Sequence, residues 1–465
     1  MMNTAPVVVI ALDGVPFSLL KGFFERGKMP RLKQLAGRGA FKEIVSVQPP
    51  LSAPAWASFL TGGPPHEHGI LSFTERDARS LNWYTPNAAH LRRPTLLQKL
   101  SDRGKRVFSM NVPVTYPPGK INGISICGFL GPDLDQGVYP PSEVPFLKSS
   151  AYRIDSDVSL AKKDLGAFLE DLHTVLDKRL EIARHYALRE RWDLFMVHIM
   201  ETDRLHHFTY ESFRRGDGDM IRLYDDLYGK VDRFIGWMVD NHPEDSRFVL
   251  LSDHGFTVLK REIYLNHWLW QQGYLRFTHP RPANLHHIHA DSRAYSLYPG
   301  RIYINLSGRE KNGRVTAGEY EHLRHELTDR LLTLRDPVDG RPVIKEVLPG
   351  ESVYAAVELT ALHDPLFSFY PDLLAVAHPG YDLKGILWHP ELAAKTVYNG
   401  MHGFDDAFLI STESAVCQKS GSIVMLGFSR PRWSHWPWVN SNFERKKGDR
   451  SSSTAGRSSR WESGS

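Results

Sequence analysis

What most limits the folds open to this chain is a series of short runs, several of them apolar on both faces, set between longer stretches of helical period. Residues 7–12, 41–47, 106–112, 193–199, 248–251 and 373–376 read as strands. A strand that is apolar at every position must be covered on both faces. Strands that alternate with helices pair in parallel. The expected fold class is α/β: a three-layer αβα sandwich with a mostly parallel central sheet and insertions over the active-site edge. Ligands in such sheets bind beyond the carboxyl ends of the strands. Asp13, Asp203 and the pair Asp253-His254 all fall just past an expected strand end, so three strands point at one locus.

The intervening stretches carry apolar residues at helical spacing. Residues 14–36 place Leu19, Leu20, Phe23, Phe24, Leu32 and Leu35 on one face. Ser52 follows the break at Pro49-Pro50 and is expected to cap a helix through Trp56, Phe59 and Leu60. Further helices are expected over 95–103, 165–190, 219–241 and around 319–334. The domain reading is a core over 1–414 with insertions at about 113–165 and 280–350. Residues 415–465 form a basic Ser- and Trp-rich tail, expected to lie outside the core.

Composition narrows the function. The net charge of +4 over 465 residues suggests a nucleic-acid partner, but the excess is local. The stretch from Ser429 to Ser465 alone carries +5, leaving the rest near −1, so no nucleic-acid partner is expected. Cys127 and Cys417 cannot build a disulfide framework, which favours a reducing compartment. No apolar run approaches the roughly 20 residues of a membrane span. The opening apolar run is too short for a signal peptide and ends on Asp13. A cytoplasmic enzyme is the expectation.

The chemistry rests on seven residues: Asp13, Ser52, Asp203, His207, Asp253, His254 and His402. Six offer a carboxylate or imidazole, donors that suit Zn²⁺ or Mn²⁺. Asp203 and His207 stand at i and i+4, which share one helix face. That spacing alone is more often a solvated face, and His206 competes with His207 on every ground but spacing. Ser252-Asp253-His254-Gly255 offers two donors at one strand end. Ser52 is the sole alcohol among the seven. A serine opening a helix is usually a cap, so capping and nucleophilic attack compete for the same oxygen.

Taken in order, Asp13-Gly14, Ser52-x-Pro54, Thr61-Gly62, His68-Gly69-Ile70, Asp203-x-x-x-His207, Ser252-Asp253-His254-Gly255 and His402-Gly403 resemble the alkaline phosphatase superfamily. The likeness is to its type I phosphodiesterase/nucleotide pyrophosphatase branch, including microbial phosphohydrolase/phosphomutase-like members, and covers about residues 6–410. The resemblance implies two divalent metal ions, Zn²⁺ first and Mn²⁺ second. Asp203, His207 and His402 would hold one; Asp13, Asp253 and His254 would hold the other. Ser52 would be the nucleophile on a small phosphorylated substrate and form a covalent phosphoseryl-type intermediate. His68 would shape a turn.

Three departures qualify it. No asparagine lies between Ser52 and Gly63, where nucleotide pyrophosphatases carry one that helps hold the phosphate. Trp56 stands where sulfatases have arginine, which disfavours sulfate esters. The apolar helix that relatives place after the last histidine is missing. The expected function is a phosphodiesterase or phosphatase. The alternatives are a phosphomutase of the same superfamily, or an inactive, poorly folded descendant with an aberrant C-terminus.

Overall fold

Along the strand Val7–Leu12, alternate side chains belong to different cores. Val8, Ile10 and Leu12 join one apolar cluster, whereas Val7, Val9 and Ala11 join another. Period-two alternation with both faces buried is what a central strand between two helical layers requires. The first layer contains helices Phe17–Glu25, Pro30–Ala36, Leu165–Arg189 and Gly218–Asp240. The second contains helices Ser52–Thr61 and Leu96–Ser101. These features are those of a computed structural model that describes residues 5–354 and 369–413. The tail, residues 415–465, lies outside them.

The sheet between the layers has eight strands. Across it run Ala40–Ile44, Ala407–Ser411, Arg247–Leu251, Val7–Leu12, Leu194–Ile199, Val107–Val112, Gly123–Cys127 and Val138–Tyr139. The five from Arg247–Leu251 to Gly123–Cys127 are mutually parallel. Ala407–Ser411 and Val138–Tyr139 run against their neighbours. Val7–Leu12 lies at the centre, with Ile10 level with Val197 on one side and Leu250 on the other.

Several local features depart from the sequence reading. The helical stretch 14–36 is two helices, because Gly27 and Met29 turn into the left-handed region just before Pro30. Residues 123–127, read as part of an insertion, supply a strand of the central sheet. Their Gly-Ile-Ser-Ile-Cys composition is too short and mixed to signal it. Residues 373–376, read as a core strand, form Leu373–Ala377 of a smaller four-stranded sheet with Ala294–Leu297, Arg301–Ile304 and Ile344–Pro349 instead of joining the central sheet. That sheet packs under helix Ala317–Leu332 around a separate apolar cluster. Among the described residues, no helix is long and apolar enough to cross a membrane.

Candidate active site

Three neighbouring parallel strands end at the same edge of the sheet. Val7–Leu12 delivers Asp13, and Arg247–Leu251 delivers Asp253 and His254. Leu194–Ile199 leads into helix Glu201–Arg214, whose first turn holds Asp203 and whose second holds His207. A two-stranded ribbon completes the set. Gly255–Val258 pairs antiparallel with Gly400–Gly403, with Phe256 opposite His402. The ribbon stacks the His402 ring on that of His254, centroids 3.8 Å apart. Gly14 has φ +63, and a β-carbon there would lie 3.2 Å from both Asp203 Oδ1 and His254 Cε1. A side chain there would crowd both donor groups, and the positive φ favours glycine.

The donors fall into two groups. In one, Asp203 Oδ1 lies 3.4 Å from His207 Nε2 and 3.3 Å from His402 Nε2, and the two imidazole nitrogens are 3.0 Å apart. In the other, His254 Nε2 lies 3.6 Å from Asp13 Oδ1 and 3.4 Å from Asp253 Oδ2. Each histidine gives its other nitrogen to a backbone carbonyl: His207 Nδ1–H to Gly400, His402 Nδ1–H to Pro50 and His254 Nδ1–H to Gly255, all at 3.0–3.1 Å. A carbonyl only accepts, so in the neutral rings all three Nε2 atoms are bare lone pairs turned into the site.

Bare imidazole nitrogens facing carboxylate oxygens repel unless a cation lies between them. Asp203 Oδ1 and Asp253 Oδ2 are buried and have no hydrogen-bond donor. Burial, with Asp253 and Asp203 close by, pushes the Asp13 carboxyl well above the usual carboxylate range. Donors bound to a tetrahedral ion at about 2.0–2.2 Å stand roughly 3.3–3.6 Å apart. Most of the spacings above lie in that band, so both groups fit a small divalent cation.

Ser52 is the first residue of helix Ser52–Thr61, and Leu51 occupies the cap position. The expected side-chain cap is absent. The Ser52 hydroxyl lies instead 3.3 Å from Asp13 Oδ1 and 3.4 Å from His254 Nε2. The helix is fixed by Trp56, Phe59 and Leu60, which pack against the sheet in the second core. His206 is a core residue: its Nδ1–H donates to the Gly14 carbonyl at 3.0 Å, and its Nε2 accepts from the Tyr228 hydroxyl at 2.9 Å. Burial lowers its pKa to about 3. His68 bonds Ser58 at 2.9 Å and accepts from the Ile70 N–H at 3.2 Å, holding the turn after the Ser52 helix.

Two supporting residues escaped the sequence reading. His198, buried in the strand Leu194–Ile199, donates from Nε2 to Asp13 Oδ2 at 2.8 Å. Burial lowers its pKa to about 4, which keeps the ring neutral and Asp13 oriented. The signal was present: it is the only polar side chain in Leu-Phe-Met-Val-His-Ile. Thr202 Oγ1 donates to the Asp13 carbonyl at 2.6 Å and ties the Asp203 helix to the first strand.

A family model described as type I phosphodiesterase / nucleotide pyrophosphatase matches residues 7–405, nearly the whole described chain. The chain belongs to that family. As a type I phosphodiesterase/nucleotide pyrophosphatase family member it is a metal-dependent hydrolase of phosphoric esters, acting on small phosphorylated substrates. Solved structures share its fold. Phosphonoacetate hydrolase from Sinorhizobium meliloti 1021, in complex with phosphonoformate, is 17% identical with a TM-score of 0.59, over 91% of this chain and 94% of that one. Murine ectonucleotide pyrophosphatase / phosphodiesterase 5, as an inactive variant in complex with AMP, is 12% identical with a TM-score of 0.56, over 94% and 95%. The human counterpart is also 12% identical, with a TM-score of 0.54, over 92% and 94%. The type I phosphodiesterase fold thus extends over the region that carries both donor groups.

Proposed function

We propose that this chain cleaves phosphoric esters with Ser52 as nucleophile beside two divalent cations. Asp203, His207 and His402 would hold one ion, and Asp13, Asp253 and His254 the other. Zn²⁺ suits the mixed imidazole and carboxylate donors at tetrahedral spacing, with Mn²⁺ next. When bound, the cations would lower the hydroxyl pKa, screen charge on the phosphoryl oxygens and activate the hydrolytic water. The observation that supports the reading most is the Ser52 hydroxyl itself. It opens a helix without capping it, and it faces Asp13 and His254. The helix N-terminus beside it favours phosphate oxygens.

Ser52 Oγ would bond to phosphorus as the ester oxygen leaves with a proton, giving a seryl ester. Water would then add at phosphorus and release Ser52 as the free alcohol. His198 would hold Asp13 in place throughout, and His206 would take no part. We assign residues 1–414 to this catalytic unit, in the cytoplasm.

Ser52→Ala tests the assignment. Turnover of an aryl phosphodiester should fall by at least ~10⁴-fold, the scale seen when a covalent nucleophile is removed, while metal content stays at the wild-type level. Unchanged turnover rejects the nucleophile. A panel comparing that diester with its monoester, under Zn²⁺, Mn²⁺ and Mg²⁺, should show the diester preferred.

A further inference from the structure

Arg204 follows the ligand candidate Asp203 and points its guanidinium at the edge of the site. Its Nη1 lies 3.5 Å from Asp203 Oδ2, too long for a good hydrogen bond. The firm anchors are elsewhere. Nε donates to Asp155 Oδ1 at 3.2 Å, and Nη2 donates to Asp155 Oδ2 at 2.6 Å. The guanidinium plane rests over the Phe129 ring, 4.7 Å from its centroid. Two of its three nitrogens are thus fixed from behind by a carboxylate and an aromatic face. The third, Nη1, is aimed at the donor groups, where its partner is the long contact to Asp203 Oδ2.

That arrangement differs from the arginines that stabilise the fold. Arg179, for comparison, is wholly buried and spends its nitrogens on Glu201, Tyr152 and the Ile154 carbonyl. Arg204 keeps 13% of its side chain exposed. Phe129 and Asp155 also line a solvent-open groove of about 600 Å³, with Leu130, Leu134 and Ile154 on its walls. The groove gives a ligand access to the side chains that hold Arg204. Among the described residues, Arg204 is the only arginine or lysine in an ion pair with Asp13, Asp203 or Asp253.

We propose that Arg204 is a substrate-binding residue. In this inference, which rests on the reading of the site given above, its Nη1 grips a non-reacting oxygen of the phosphoryl group. A planar fork held by Asp155 loses little freedom on binding, which suits it to a tetrahedral oxyanion better than a flexible lysine.

The test uses the metal-loaded full chain and a chiral aryl phosphorothioate diester, assayed as separate Rp and Sp isomers. Arg204→Met keeps the stem on Phe129 and removes the fork. The expected result is a ~10²–10³-fold fall in kcat/KM for the oxygen diester, the scale for losing one donor to the reacting group. The Rp/Sp rate ratio should move toward unity, and metal content should not change. Arg204→Lys should recover only part of the rate. Asp155→Asn, which touches no donor and keeps the guanidinium, should show a smaller shift of the ratio in the same direction. An Rp/Sp ratio equal to wild type in both Arg204→Met and Asp155→Asn overturns the proposal, and so does a loss of rate that follows loss of metal. Failure of the nucleophile reading has a separate signature, turnover surviving in Ser52→Ala.

Discussion

The donor-bearing edge of the large sheet and the interior of the smaller sheet both bury several carboxylates, but they surround them with different neighbours. In the smaller region three buried acids each meet a guanidinium. Glu75 bonds Arg301 at 2.7 Å, Glu310 bonds Arg76 at 2.8 Å, and Asp372 takes two bonds from Arg309, both at 2.7 Å. All six side chains are essentially inaccessible to solvent. At the catalytic edge, Asp13, Asp203 and Asp253 are just as buried but crowd among imidazole lone pairs. A buried charge without a partner costs several kcal/mol. One region answers with cations built into the chain; in the proposed reading, the other leaves that role to ions from solution. The identity of the neighbours, more than the number of acids, separates a structural network from a candidate ligand set.

The comparison breaks most sharply if the catalytic acids prove indifferent to metal. Asp253→Ala and His207→Ala should each lose one bound ion by elemental analysis and lose nearly all turnover. Full occupancy in both would refute the division of ligands. The smaller region should respond in stability instead. Arg309→Met strands Asp372 in the core and should cost ~3–5 kcal/mol by denaturant titration, with metal content unchanged and no rescue by added Zn²⁺. A rescue by metal would erase the distinction between the regions. His198→Ala sharpens it from the catalytic side: losing the donor that orients Asp13 should weaken metal affinity ~10–100-fold, read by competition with a chelating dye. The smallest effect belongs to a pair in neither class. Lys178 meets Glu181 at 2.8 Å on an exposed helix face, and Lys178→Ala should change stability by no more than ~0.5 kcal/mol.

Much of this was legible from the chain alone. Val7–Leu12, Leu194–Ile199 and Arg247–Leu251 lie within about a residue of where apolar runs put them, because burial on both faces leaves a strong local signal. Helices Leu165–Arg189 and Gly218–Asp240 follow their periodicity closely for the same reason. The strand Ala407–Ser411 went unread, and Leu373–Ala377 was placed in the wrong sheet, since a short apolar run does not say which strand it will pair with. The arginine network was equally invisible. Arg76, Arg301 and Arg309 look like surface residues until the fold brings Glu75, Glu310 and Asp372 to them.

The sequence by itself determined the sandwich and the kinds of donor at its edge, because side-chain period and side-chain chemistry are properties of each segment. Only the tertiary structure decided between His206 and His207, turned three Nε2 atoms inward, and freed the Ser52 oxygen from its helix. Those choices depend on contacts that no local segment contains. The Gly400 carbonyl orients His207, the Pro50 carbonyl orients His402, and Tyr228 occupies His206. Each becomes available only when distant stretches of chain pack together.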